Sequence, residues 1–102
     1  MNDVIREKLE QMRESYESKT YEELLRLGWV KQEPIMICGK KNWPAVWSEL
    51  MTDGAILLVV QLTRWHLLRI WGSTDCIGFL YSKNGQIEYV DENYLMNEVG
   101  HP

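Results

Sequence analysis

The segment from Arg64 to Trp71 reads RWHLLRIW, so it sets two arginines, one histidine and two tryptophans among three aliphatic residues. Tryptophan and arginine are the side chains most enriched at the energetic centres of protein interfaces. Histidine adds a side chain that can bind a ligand or move a proton near neutral pH. We therefore ask first whether this segment is a binding site or a sheet strand whose polar positions face water.

Strand geometry would divide the segment between two faces, because successive side chains point to opposite sides of a sheet. In the preceding run, every even position from Ile56 to Leu62 is apolar, whereas the odd positions change to Gln61 and Thr63. An unbroken strand would thus turn its even positions to a core under the helices. The residues on the opposite face would then be Trp65, Leu67, Arg69 and Trp71.

Three large apolar side chains around Arg69 on an open sheet face would form a patch of about a few hundred Å², which is typical of an interaction surface. We predict that this face binds another protein or a second copy of the chain. Two alternatives would make its tryptophans core residues instead. One is a bulge near Arg64 that changes the register, and the other is a segment between Pro34 and Leu50 that folds over the face.

A small-ligand pocket between the sheet and the helices is the second functional hypothesis. Its aromatic lining would be Trp43, Trp47 and Trp71. His66 or Arg69 would hold a polar group of the ligand. This hypothesis predicts a protein that binds a small molecule rather than a protein partner.

The same region interleaves basic with aromatic residues, as in a stacking platform for single-stranded nucleic acid. The basic residues are Lys40, Lys41, Arg64 and Arg69, and the aromatic ones are Trp43, Trp47, Trp65 and Trp71. The formal net charge of −4 opposes a polyanionic partner. The sequence also has no zinc-finger, helix-turn-helix or RRM-like pattern. We therefore expect no nucleic-acid partner.

Cys76, Asp75 and His66 supply the residue types of a thiol nucleophile, an orienting acid and a base. Cys76 begins an apolar strand, however, where a small buried thiol is the usual outcome. A metal site made of Cys38, His66 and Cys76 would lack the close pairing of ligands that zinc sites show. Without a phosphate-binding loop or paired catalytic carboxylates, the sequence predicts a non-enzymatic protein that needs no metal or cofactor.

The first quarter of the chain has the spacing of two helices. Apolar residues recur at helical intervals across 3–17, and Thr20 with Glu23 has the spacing of a capping box before a second helix that Gly28 ends. The apolar stripe of the first helix consists of Ile5, Leu9, Met12 and Tyr16. Its other faces are charged, so this helix is expected to pack through that stripe alone.

After Gly28 the composition becomes typical of β-strands. Asp53-Gly54 and Asn84-Gly85 are strong hairpin signals. The segment 43–51 is predicted as a strand with Pro44 near its beginning or at an edge, and a short helix beginning at Pro44 is the alternative.

Asp91 is a predicted N-cap for a short final helix, in which Tyr94, Leu95 and Val99 can pack. Helices gathered before and after a run of strands indicate an α+β fold. We predict an N-terminal helix or helix pair on an antiparallel meander of about five strands, followed by this C-terminal helix.

The chain of 102 residues is predicted to form one domain. Its first residues are charged and do not resemble a secretory signal, and its longest apolar run, at 54–60, is too short to span a bilayer. The two cysteines have the spacing of neither a disulfide framework nor a metal motif. The sequence therefore predicts a cytoplasmic binding protein without a membrane partner, acting as a modulator or inhibitor of a larger protein or as a homodimer.

Overall fold

The computed structural model describes residues 3–66, 71–91 and 94–95. Within these residues, helices lie on one face of a six-stranded antiparallel sheet, which confirms the α+β class. The elements are α1 (Asp3–Glu17), α2 (Tyr21–Leu25), β1 (Trp29–Lys31), β2 (Ile35–Ile37), β3 (Lys40–Leu50), β4 (Ile56–His66), β5 (Trp71–Tyr81) and β6 (Ile87–Val90). The structure has one strand more than the predicted number of about five, because Trp29–Lys31 pairs with β3 as a further short edge strand.

The apolar stripe of α1 packs against the sheet as predicted. Ile5, Leu9 and Met12 are buried in a core cluster, and Tyr16 packs at its margin. The exposed positions between them are largely charged, so α1 is held by one face only.

The start of α2 has both hydrogen bonds of the predicted capping box. The Thr20 hydroxyl accepts from the Glu23 backbone N–H at 3.1 Å, and the Glu23 carboxylate accepts from the Thr20 backbone N–H at 3.0 Å. These backbone and side-chain bonds to Thr20 hold the pKa of Glu23 below its ordinary value. Leu24 then projects from this short helix into the same core as α1.

The sheet order is β1-β3-β4-β5-β6, and β2 also pairs with β3. β1 pairs with Ala45–Trp47 and β2 with Lys40–Asn42, so both lie along the same edge of β3. The edge is therefore two short strands interrupted at residues 32–34.

Pro44 explains where that interruption falls. Residues 43–50 of the predicted segment 43–51 belong to β3 and not to a helix, but β3 is an interior strand rather than an edge strand. The Pro44 carbonyl accepts from the Gln32 N–H at 3.1 Å, whereas the proline nitrogen has no proton to return a bond. The backbone nitrogen that cannot donate thus faces the interruption between β1 and β2 at residues 32–34.

Both predicted hairpin turns are confirmed. Gly54, at φ 90°, follows Asp53, whose carboxylate accepts from the Ala55 N–H at 3.0 Å. The Tyr21 hydroxyl donates to the Gly54 carbonyl at 2.5 Å and ties α2 to this turn. The second turn occurs at Asn84-Gly85 and joins β5 to β6.

The register of β4 sorts its side chains onto two faces. The even positions from Ile56 to Leu62 join the core beneath α1 and α2, which we call the helix face. Leu57 and Val59 lie on the other face, in a smaller core that includes Val90 and Leu95. This distribution confirms that the even positions face the helices.

Asp91 begins a turn after β6. Its carboxylate accepts from the Tyr94 N–H at 3.0 Å, and its carbonyl accepts from the Leu95 N–H at 3.1 Å. The remainder of the predicted C-terminal helix, including Val99, lies outside the described residues. Neither α1 nor α2, the helices in this described part, is long and apolar enough to cross a membrane.

Leu58 and Leu50 provide a direct test of the helix-face core. Leu58 on β4 is fully buried, whereas Leu50 on the neighbouring strand β3 is 58% exposed. We expect Leu58→Ala to lower the free energy of unfolding by about 2–5 kcal/mol, because it leaves a cavity. Leu50→Ala should change it by about 0.5 kcal/mol or less. Urea denaturation of both variants measures the difference, and equal effects would contradict the assigned burial.

Candidate functional site

Trp65 lies on the sheet face away from the helices and is 47% exposed. The pairing of β4 with β5 keeps one register from Ile56 to His66, so no bulge near Arg64 turns the strand over. The segment that includes β3 lies beside β4 within the sheet and does not fold over it. Neither alternative that would make Trp65 a core residue occurs within the described part of the chain.

The segment RWHLLRIW is not one continuous strand. β4 ends at His66 and β5 begins at Trp71, and these two residues are paired across the strands, while Trp65 pairs with Gly72. The face predicted for Trp65, Leu67, Arg69 and Trp71 presumed an unbroken strand through 64–71. Leu67 and Arg69 lie outside the described residues, and the binding role of the four residues stays a prediction.

Together with Trp65 on β4, tryptophans on β3 and β1 lie on the same face of the sheet. Trp29 on β1 is paired with Trp47 on β3, and their rings stack with centroids 6.3 Å apart and planes 14° apart. Trp43 on β3 is paired with Thr63 on β4, which lies two residues before Trp65 and on the same face. We call this surface the tryptophan face, formed by Trp29, Lys31, Lys41, Trp43, Ala45, Trp47, Gln61, Thr63 and Trp65.

An open groove of about 190 Å³ runs over the tryptophan face. Its floor is the row Lys31, Ala45 and Gln61, which are paired across β1, β3 and β4. Ala45 is the small side chain at the centre of that row, and the larger rings on either side rise above it. Trp29 therefore forms one wall of the groove, and Trp43 with Trp65 forms the other.

The charged side chains at this groove are cations. Lys31 lines it, and the Lys41 ammonium lies 5.7 Å from the centroid of the Trp43 ring. Among the described residues that line the groove there is no carboxylate. This local charge is opposite to the net charge of −4 of the whole chain.

Trp43 and Trp47 do not lie where the ligand-pocket hypothesis places them. Trp47 packs beside Val59 in the smaller core, and Trp43 lines the open groove, so both are on the face away from α1 and α2. The hypothesis placed these tryptophans in the space between the sheet and the helices. That space is filled by aliphatic side chains and Phe79 instead.

Arg64 lies on the helix face in a structural ion pair. One guanidinium nitrogen lies 2.8 Å from the Asp75 carboxylate, and another donates to the Asn42 side-chain oxygen at 3.5 Å. Asn42 is fully buried and also donates to the Lys40 carbonyl at 3.0 Å. These contacts join β3, β4 and β5 at the margin of the helix-face core.

The basic residues of the nucleic-acid hypothesis are divided by the sheet. Lys41 lies on the tryptophan face, whereas Arg64 is bound to Asp75 on the helix face. Arg69 lies outside the described residues. The described residues therefore do not bring these cations together on one stacking platform.

The residues of the catalytic and metal hypotheses are also separated. Asp75 and Cys76 are consecutive on β5 and face opposite sides: Asp75 contacts Arg64, and Cys76 packs against the smaller core. Cys38 is exposed in the turn between β2 and β3. Within residues 3–66, 71–91 and 94–95, no three His, Cys, Asp or Glu side chains form a cluster that could hold a metal. The absence of enzymatic activity stays a prediction.

A second open groove, of about 290 Å³, lies between α1 and β6. The Arg13 guanidinium lies 4.1 Å from the centroid of the Tyr89 ring there. A hydrogen bond with Glu17 raises the pKa of Tyr89 above its ordinary value. The lining mixes both charges, Arg6 and Arg13 with Glu10, Glu88 and Asp91. Because both charges are present, this lining does not favour a ligand of one charge.

Sequence reasoning did not single out Trp29, Lys31 and Gln61 as site residues. Trp29 and Lys31 join the site only because β1 pairs with β3. Gln61 was noted as a polar interruption of an apolar strand, and this is the one signal that could have indicated the groove floor.

Comparisons with protein-family models, with curated protein sequences and with solved structures found no match for this chain. The site is therefore interpreted from its own geometry and charge.

The Arg64–Asp75 pair can be tested by a double-mutant cycle. We expect Arg64→Leu and Asp75→Leu each to lower the free energy of unfolding by about 1–3 kcal/mol, because each leaves a largely buried charge unpaired. The double variant should lose less than the sum of the two single losses. Urea denaturation gives the coupling, and strictly additive losses would show that the pair does not act as a unit.

Proposed function

We propose that the protein is a cytosolic, non-enzymatic binding protein that docks onto another protein through its tryptophan face. The observation that carries this proposal is the uncovered part of that face, where Trp29 and Trp65 are 54% and 47% exposed beside an open groove. Exposed tryptophans gathered on one surface are typical of interface hot spots. Of the four residues that the sequence predicts for the partner surface, Trp65 supports this proposal directly.

The charge of the face favours a different protein over a second copy. A symmetric dimer through this face would bring the same patch of each copy together. Such an interface would gather Lys31 and Lys41 of both copies, and like charges in an interface oppose association. A partner with acidic groups would instead neutralise both lysines.

A small-molecule site is supported less well by the same geometry. The groove is open and its volume of about 190 Å³ is below the range of about 300–1,000 Å³ that is usual for ligand pockets. Its walls are rings on a sheet surface, so a bound molecule would remain largely in water.

Trp65→Ala tests the proposed function, with Leu25→Ala as the matched control. Leu25 lies on α2, away from the tryptophan face, and is 40% exposed. Both proteins would be immobilised and exposed to an extract of the native cells, and the retained proteins would be identified by quantitative mass spectrometry. We expect one identified protein to be retained by the wild type and by Leu25→Ala, and to fall about tenfold or more with Trp65→Ala, as expected for an interface hot spot.

Two further measurements make this outcome interpretable. Thermal unfolding should remain a cooperative transition in both variants, since neither residue is buried. If Trp65→Ala loses several degrees in Tm and retains the same proteins, Trp65 stabilises the fold and the proposal is wrong. Light scattering gives the mass in solution, and a dimer that Trp65→Ala converts to a monomer would identify a second copy as the partner and contradict the proposal.

A further inference from the structure

We propose that the tryptophan face binds an extended, proline-containing acidic segment of its partner in the polyproline II conformation. This inference rests on the proposed function, because it names the chemistry of the element that would fill the groove. Three properties of the groove carry it: its width, its hydrogen-bonding character and its charge.

The width of the groove selects an extended chain. One wall contains Trp43, and the other is Trp29, whose ring stacks on Trp47. Trp43 and Trp47 are separated by four positions on β3. At the usual strand rise, their Cα atoms are about 13 Å apart. An α-helix with its side chains has a diameter of about 10–12 Å, and the indole rings themselves occupy part of the separation. A single extended chain fits between such walls, whereas a helix does not.

The hydrogen-bonding groups of the groove select a chain that is rich in acceptors. An indole N–H and an ammonium group can only donate, so Trp29, Trp65 and Lys31 present donors. Gln32, Gln61 and Thr63, which also line the groove, can donate as well as accept. A peptide placed on this surface satisfies these groups through its carbonyl oxygens, while its own N–H groups would find fewer acceptors.

Proline meets this requirement better than other residues. It has a carbonyl but no backbone N–H, so its burial against indole rings leaves no donor unsatisfied. Polyproline II has no internal hydrogen bonds and leaves its carbonyls outward, and grooves lined by aromatic residues are its usual docking sites. Because the chain is already extended before it binds, little conformational entropy is lost.

The charge of the face selects acidic residues beside the prolines. Lys31 and Lys41 lie on two sides of the Trp43 wall, and the described lining contains no carboxylate to neutralise them. A peptide with a few carboxylates can contact both lysines. A long polyanion such as single-stranded nucleic acid is opposed by the net charge of −4 of the chain.

Fluorescence anisotropy with labelled peptides tests this inference. The probe is a peptide of three Glu-Pro-Pro repeats, and the comparison peptides replace its glutamates by lysine or its prolines by glycine. An oligothymidylate strand is the fourth probe. We expect the Glu-Pro-Pro peptide to bind at least tenfold more tightly than the other three and to change the tryptophan fluorescence of the protein.

Lys41→Glu and Lys40→Glu are a matched pair of charge reversals. The two lysines are consecutive on β3 and therefore lie on opposite faces of the sheet. Lys41→Glu should weaken Glu-Pro-Pro binding about tenfold or more, whereas Lys40→Glu should leave it unchanged. Trp29→Ala should weaken binding similarly, with Leu25→Ala as its control, and circular dichroism verifies that each variant is folded.

The outcomes separate this inference from the proposed function. If none of the peptides binds, yet a protein partner depends on Trp65, the inference is wrong and the proposed function stands. Equal binding of the Glu-Gly-Gly or Lys-Pro-Pro peptide would overturn the role of proline or of acidic charge, respectively. Tighter binding of the oligothymidylate strand would overturn both the inference and the protein-binding function.

Discussion

The unbroken register of β4 is the constraint on which the rest of the structure depends. β4 keeps one antiparallel alignment with β5 from Ile56 to His66, and its alignment with β3 is equally regular. Because side chains alternate along a strand, a shift by one residue would exchange the two faces throughout. It would place Trp65 beneath the helix layer and turn Arg64 outward. The fixed register is therefore what separates a stabilising face from an exposed one.

The two faces are covered to different extents, and this difference produces the site. The helix face is covered by α1 and α2 through Ile5, Leu9, Met12 and Leu24. On the other face, Leu95 packs over Leu57 and Val59, and the groove walls lie beyond this small core. The described residues cover the helix face of this six-stranded sheet more fully than the other face. The part that the described residues leave open is the part richest in tryptophan.

Sequence periodicity was sufficient for the features that depend on local spacing. The stripe of α1, the capping box at Thr20 and Glu23, the two glycine turns and the inward direction of the even positions of β4 are all encoded within a few residues. The pairing of β1 with β3 is not local, and it determines that Trp29 joins the site. Arg64 was a plausible site residue until its contact with Asp75, eleven positions away, placed it in an ion pair. The roles of Trp29 and Arg64 thus depend on residues that are distant in the sequence. The alternation of side chains along a single strand does not reveal such contacts.

The tryptophans of the exposed face are held in place before any partner arrives. The Trp29 ring stacks on Trp47, the Lys41 ammonium lies near the Trp43 ring, and Trp65 lies over Gly72. A Cβ atom at position 72 would lie 2.7 Å from the Arg64 carbonyl oxygen and 2.9 Å from Trp65 Cε3, so glycine leaves room for both the backbone and this ring. Rings restrained in this way lose little rotamer freedom on binding, whereas free surface side chains cost about 0.5–1.5 kcal/mol each to order. In the proposed docking, the contacts that keep these rings against the sheet also hold them ready for the partner.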